Sequence, residues 1–370
     1  MSRRGGRPNA PGAGIGAIVL GAAAAAGVAL AIGKIYFDAT ADRKKRDEGE
    51  GDEEAKADAA ARRRMKAWAA RHISACGRWR SAECTDRWLA LSAGPGATAA
   101  ADAAALFDRA ARIREEKIDR QIERDVPRTF PTIAYFQAGS GAGRAALAKV
   151  LRTYAVLHRG EGGIAYVQGM NFVAGNLLLH TGEAEALALF YRLCHGERYQ
   201  LAAVFEPGLP LLLGACAALD ALVARALPRV AAHLERVGLR AMMYAQPWFL
   251  SLFTYHAMPP QLSAHVWTLF FKEGWPALFR VALALIRYAA SDAGARAAGR
   301  AGVDGGPGAF GDPPSGGPLA TQPLEGCVAL LRTVAGAGAP PRLAALAEAE
   351  RAHVSDAEYS AAALLRRQRG

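Results

Sequence analysis

Two short clusters in this chain of 370 residues hold side chains whose types and spacing could do chemistry. The first is Asp125 and Arg128 in the stretch IERDVPRTFP, close enough along a helix for the carboxylate to hold the guanidinium in one orientation. Pro127 lacks a backbone N–H and turns Val126 away from helical geometry, so the preceding helix is expected to stop there and Arg128 to emerge near a helix end. The second is Gln168 in GIAYVQGMNFVAGNLL, between Tyr166 and Gly169 at a helix start, where glycine lets another backbone approach closely. A braced guanidinium can stabilise developing negative charge, and a carboxamide can hold a water. Each cluster alone has an ordinary alternative. Asp125 and Arg128 could be a surface salt bridge of little energetic weight, and Gln168 a buried amide serving backbone groups around it.

Other chemistries find less support. The five cysteines, Cys76, Cys84, Cys194, Cys216 and Cys327, include no CxxC pair, which suits free thiols in a reducing compartment better than a disulfide framework or a zinc site. The eight histidines show no HExxH, and His256 and His265 have no cysteine nearby, so no metal is expected. GAGIGA, Gly12 to Ala17, fits the dinucleotide-binding spacing, but Pro8, Asn9, Ala10 and Pro11 precede it where a buried strand is required. A phosphate-cradling G-x-x-x-x-G-K-[ST] loop is missing, so the chain is expected to act on a nucleotide bound elsewhere. The formal charge of +11 comes with interleaved acids and no aromatic-basic signature, which favours a membrane surface over nucleic acid.

The elements that must position the two clusters read as helices throughout. Thr98 to Val126 reads as one amphipathic helix, with Leu106, Ala110, Ile113, Ile118 and Ile122 on one face. Leu147 to Leu157 marks a helix closed by Gly160, Met170 to Leu179 one closed by Gly182, and Glu183 to Cys194 a third. Further helices are expected over Leu211 to Leu227, Pro228 to Val237, Pro247 to Tyr255, Pro260 to Phe271, Trp275 to Tyr288, Pro323 to Val334 and Pro341 to Arg367. No run alternates β-branched residues, so the fold class is all-α. Ile122, Phe130, Phe136, Tyr166, Trp248, Phe249, Phe253, Trp267, Phe270, Phe271 and Phe279 are expected in the core.

Ile122, Asp125 and Arg128 together with Tyr166, Gln168 and Gly169 resemble the I-x-x-D-x-x-R and Y-x-Q-G signatures of TBC domains, 40 residues apart from Arg128 to Gln168. The block Gly238 to Ile286 is similar to the family's later region, in which WFL-x-x-F precedes a Trp-containing helix and an F-F-x-E-G turn. The resemblance, strongest over 118–290, implies a two-lobed helical domain that makes Rab-type small GTPases, in their GTP-bound form, hydrolyse GTP. By it, Arg128 is an arginine finger and Gln168 a glutamine finger. Asp125 orients Arg128, with Tyr166 and Gly169 in support. Hydrolysis spreads charge over the transferring phosphoryl and needs a water held in line, which a rigid cation and an amide supply. GTP and magnesium would come with the partner, and the chain would need no cofactor of its own. Without the fingers, the same domain would be a silent scaffold for small GTPases or trafficking proteins. The chain departs from the family where R-x-W-D is common: it has His265, Val266, Trp267 and Thr268. Arg87 and Trp88 resemble the family's R-x-x-W entry motif.

The layout completes the reading. Residues 1–37 contain an uncharged run from Asn9 to Gly33, long enough for a bilayer crossing of about 20 helical residues. Arg3, Arg4 and Arg7 precede it, and Lys34, Arg43, Lys44, Lys45 and Arg46 follow, which places the bulk of the chain in the cytosol on an endomembrane. A cleaved targeting segment, leaving a cytoplasmic protein, is the alternative. Residues 38–61 read as a charged linker and 62–370 as the helical domain, interrupted by a disordered Gly/Pro-rich insertion at about 289–318.

Overall fold

The computed structural model describes residues 82–93, 103–113, 115–137, 142–158, 165–255, 258, 260–291, 318–336, 339 and 343–368. The apolar run at 9–33, the linker at 38–61 and nearly all of the insertion lie outside the described residues. Within them there is no strand, as the all-α reading requires. No helix among them is long and apolar enough to cross a membrane.

The first helices are α1 (Ala82–Leu91), α2 (Ala103–Ala111) and α3 (Glu116–Asp125), followed by a 3-10 turn over Val126–Arg128. The single helix expected over Thr98 to Val126 is therefore two. Arg112 and Ile113 close α2 with tightened hydrogen bonds to Arg109 and Ala110, and the Asp119 carboxylate accepts from the Glu115 N–H to start α3. Asp119 is tied in turn to Arg152 at 2.6 Å, so a contact with a later helix decides the break. Pro127 does end the α-helix near Asp125, but Val126 is not displaced from helical geometry: it stays at φ −57, ψ −48, and the chain tightens into 3-10 instead.

Next come α4 (Ala142–His158), α5 (Met170–His180), α6 (Glu183–His195) and the short α7 (Ala202–Phe205). On α4, Leu147, Val150, Leu151 and Tyr154 recur at helical spacing and are all buried, which is why this stretch folds as the spine of the first lobe. α2, α3, α5 and α6 all pack against it.

The second lobe begins with α8 (Pro210–Ala226) and α9 (Pro228–Arg236), each opened by a proline that gives up no hydrogen bond at a helix start. α10 (Ala241–Tyr244), α11 (Gln246–Leu250), α12 (Pro260–Glu273), α13 (Trp275–Ala289), α14 (Leu324–Val334), α15 (Leu343–Ala349), α16 (Asp356–Tyr359) and α17 (Ala361–Arg366) follow. α13 lies at the centre, buried along nearly its whole length and packed against α8, α12, α14 and α15. α1 joins the lobes by packing on both α12 and α6.

Two expected helices are cut short. Pro247 to Tyr255 is helical only to Leu250, because Leu252 and Phe253 take left-handed backbone angles (φ 50 and 65) that turn both side chains inward. Trp267 Nε1 donates to the Leu252 carbonyl at 3.1 Å and holds that turn. Pro341 to Arg367 becomes α15, a 3-10 turn, α16 and α17. The hydroxyls of Ser355 and Ser360 accept from the Glu358 and Ala363 N–H groups and start the last two helices. All of the aromatic and apolar residues expected in the core are buried.

Candidate functional site

Asp125 ends α3 with its side chain 3% exposed, while Arg128, one 3-10 turn on, is 42% exposed. One carboxylate oxygen, Oδ1, accepts from Arg128 Nη2 at 2.5 Å. The other, Oδ2, accepts from the Tyr166 hydroxyl at 2.7 Å. Each oxygen of the buried acid thus accepts a hydrogen bond, and the arginine it braces stays partly exposed. Burial, then the charge of Asp125 and the hydrogen bond to it, push the Tyr166 phenol far above its ordinary range, against the opposing pull of Arg128. Tyr166 is therefore a permanent donor.

The second connection runs from Thr129, next to Arg128, to Asn171, two residues beyond Gly169. Thr129, fully buried, donates its hydroxyl to the Asp125 carbonyl at 2.8 Å and accepts from Asn171 Nδ2 at 2.8 Å. Asn171 Oδ1 accepts from the Gly169 N–H at 2.9 Å. Gln168 thus lies in a turn whose two sides, Tyr166 and Gly169, are each tied by side-chain hydrogen bonds to the segment carrying Arg128. Its side chain is half-buried and forms no hydrogen bond with a described residue, so the amide is not spent on packing. Of the five predicted site residues, Arg128, Asp125, Tyr166 and Gly169 share one hydrogen-bonded network, and Gln168 lies in the turn between the last two. Thr129 and Asn171 were missed as site residues, although a polar Asn in an otherwise apolar helix start was a visible signal.

Backbone geometry fixes the turn. Gly169 has φ +111, and a Cβ there would sit 3.0 Å from the Phe205 ring, so the position requires glycine. A Cβ on Gly175 would meet Thr129 Cγ2 at 3.0 Å, which shows how closely α5 lies against the arginine segment. Phe130 adopts φ 46 immediately before Pro131 and packs edge-on against Phe172, which in turn meets Tyr255 at 5.2 Å. Burial pushes the Tyr255 phenol up, while Arg332 and Arg128 pull it the other way, so both guanidinium groups act on this edge of the site.

The departure at 265–268 has a structural account at one end. Thr268 accepts from Trp88 Nε1 at 2.9 Å and donates to the Ala264 carbonyl, so it serves the joint between α1 and α12. His265 is exposed. Cys194, Cys216 and Cys327 are buried, and burial pushes the Cys194 thiol up to about 12, which makes it inert. Among the described residues no group of three His, Cys, Asp or Glu side chains could hold a metal.

Comparison with known proteins bears on the family and the fold. The family model for the Rab-GTPase-TBC domain matches residues 104–293. The chain is 34% identical over 169 residues to the Ecotropic viral integration site 5 ortholog of Drosophila melanogaster, covering 45% of this chain and 20% of that protein. It is 33% identical over 174 residues to Rab GTPase-activating protein tbc-11 of Caenorhabditis elegans, covering 47% and 18%. It is 37% identical over 168 residues to Carabin of Mus musculus, covering 45% and 36%. The chain thus spans only a minor part of the length of these relatives. A crystal structure of the Chlamydomonas flagellar RabGAP TBC domain superimposes with a TM-score of 0.53 at 21% identity, covering 88% of this chain and 92% of that one, a likeness of fold. With the family model covering more than half of its residues, the chain belongs to the Rab-GTPase-TBC domain family.

Proposed function

We propose that this protein stimulates GTP hydrolysis by Rab-type small GTPases, with Arg128 as an arginine finger and Gln168 as a glutamine finger, both supplied in trans. The observation that carries the reading is the partly exposed Arg128, held by a buried Asp125 whose two oxygens each accept a hydrogen bond, in the same hydrogen-bonded network as the Gln168 turn. A guanidinium held in this way loses little further entropy on meeting a phosphate, and its planar fork suits the equatorial oxygens of a transferring phosphoryl group. Gln168, with its amide unspent, would orient the attacking water in place of the GTPase's own glutamine. The nucleotide and its magnesium belong to the GTPase. One relative is named a Rab GTPase-activating protein, which supports the substrate class.

Single-turnover GTP hydrolysis across a panel of Rab proteins tests this, with Arg128→Ala and Gln168→Ala as controls. Stimulation by the wild type that both variants lose is the expected result. Wild-type behaviour equal to both variants across the panel leaves a scaffold that binds GTPases without activating them. The same reading puts the protein on an endomembrane with its helical domain in the cytosol, supported by the uncharged run at 9–33. Retention of the full chain in carbonate-washed membranes, with release of a fragment starting at Arg62, is the expected outcome.

A further inference from the structure

α3 carries a second feature that the finger chemistry does not use. Lys117, Arg120 and Arg124 recur three and four residues apart, the spacing of a single helical face, and all three are exposed. Arg128 follows on the 3-10 turn four residues beyond Arg124, so a line of four cations, with exposed Glu116 and Glu123 on the same helix, runs from α3 to the proposed finger. The opposite face, with Asp119, Ile122 and Asp125, is buried. It turns toward α4, which leaves the cationic face open to solvent.

The charges on this ridge are only partly balanced. Arg120 pairs with Glu116, both well exposed, a contact of small energetic weight. Arg124 directs its Nε at the Arg120 carbonyl, which keeps the guanidinium lying along the ridge. Neither Lys117 nor Arg124 forms an ion pair with an acid among the described residues. Exposed, unbalanced cations beside a reactive group contribute little to folding, yet they raise the encounter rate with a surface of opposite sign.

We propose that the Lys117–Arg120–Arg124 ridge is a docking surface for an acidic patch on the GTP-loaded GTPase, beside its nucleotide, and that it steers the GTPase onto Arg128. The inference rests on the GTPase-activating reading for the identity of the partner, and on the continuity of the ridge with Arg128 for its place. Steering of this kind acts on association and leaves the chemical step unchanged. The ridge therefore affects KM and salt dependence, and Arg128 affects kcat.

The test uses the full chain with Lys117→Glu/Arg124→Glu, the milder Lys117→Gln/Arg124→Gln, Arg128→Ala, and Arg366→Glu as an exposed control on α17. Association with Rab-type GTPases loaded with a non-hydrolysable GTP analogue is measured at 50 and 200 mM salt, beside single-turnover hydrolysis. Charge reversal is expected to slow association about tenfold at low salt. It should also flatten the salt dependence and leave the saturating hydrolysis rate unchanged, with the Gln pair intermediate and Arg366→Glu like wild type. Association equal to wild type at both salts in the Glu pair overturns the proposal, as does the absence of binding to any GTPase in the panel. Loss of binding to phosphatidylserine vesicles with GTPase association intact would assign the ridge to a lipid surface and overturn it too. Ridge-dependent binding without any stimulation of hydrolysis would remove the finger chemistry and leave the ridge standing. Stimulation that depends on Arg128 but not on the ridge would do the reverse.

Discussion

Two acid–arginine clusters in this protein are built in opposite senses. At the end of α3 the acid is buried and the arginine is exposed: Asp125 is 3% accessible and Arg128 42%. At the junction of α12 and α13 the arginine is buried, with Arg280 only 1% exposed against Glu273, whose other oxygen contacts come from Arg351 and Lys272. Asp125 has both oxygens satisfied. Arg280 has Nε and Nη1 without an acceptor among the described residues, so its charge is taken out of water with incomplete compensation. The first cluster leaves its cation at the surface, and the second uses a cation to lock two helices. The difference separates function from stability, and substitutions can test whether the separation is real.

The largest effect is expected at Arg128. Replacing it with Ala should lower stimulated hydrolysis by about 10³ to 10⁵ fold, and Lys should fail to rescue because a point charge lacks the planar fork. The stability loss should stay at about 1–3 kcal/mol, the cost of leaving one oxygen of buried Asp125 without its donor, and below that of the Arg280 variant. A large stability loss in Arg128→Ala would collapse the distinction between the two clusters. Arg280→Ala should do the converse. Removing the buried partner leaves Glu273 beside a cavity with only Arg351 and Lys272 for compensation and costs about 3 kcal/mol in equilibrium unfolding, while the folded fraction keeps its activity. The paired change Glu273→Gln/Arg280→Met should recover most of that loss. Failure to recover would mean that packing, and not the stranded charge, sets the cost.

Acid titration distinguishes the regions a second way. His180, on the helix that follows the Gln168 turn, is packed against Trp88, and burial lowers it from its ordinary 6.5 to about 4. Because its folded value is depressed, its contribution is complete above 6.5 and is lost as pH falls toward 4, a change of about 3 kcal/mol. Burial raises the Glu273 carboxyl, but hydrogen bonds from Arg280 and Arg351 outweigh it and hold the group below 4.5. Its contribution therefore survives to lower pH and fails only as pH falls through that depressed value. Urea titrations at pH 7.5, 5 and 3.5 should show the first loss vanish in His180→Phe and the second in Glu273→Gln; equal slopes in wild type and His180→Phe between pH 7.5 and 5 would refute the first assignment. The smallest effect belongs to Tyr166→Phe, which leaves one oxygen of buried Asp125 without its donor. We expect about 1–3 kcal/mol in stability together with a partial loss of stimulation. Activity unchanged in that variant would show that Arg128 needs no brace from the Tyr166 side.

The amino-acid sequence by itself determined the helical class, most of the later helices and the buried aromatic set, because apolar residues at helical spacing have one way to leave water. It also determined the Asp125–Arg128 pair, since residues that near on a helix meet whatever the fold. Other features depended on residues distant in the chain. The Tyr166–Asp125 and Asn171–Thr129 hydrogen bonds join the two motifs across 41 and 42 residues, and no local pattern announces such partners. The break before α3 and the turn at Leu252 and Phe253 were likewise decided by Arg152 and Trp267, whose contacts outweigh local helix propensity. Ser355 and Ser360 were legible as helix starts, but the apolar rhythm of the final stretch conceals them. A helix can be read from its own residues. The joining of the Asp125–Thr129 and Tyr166–Asn171 segments needs the packed core that places them together.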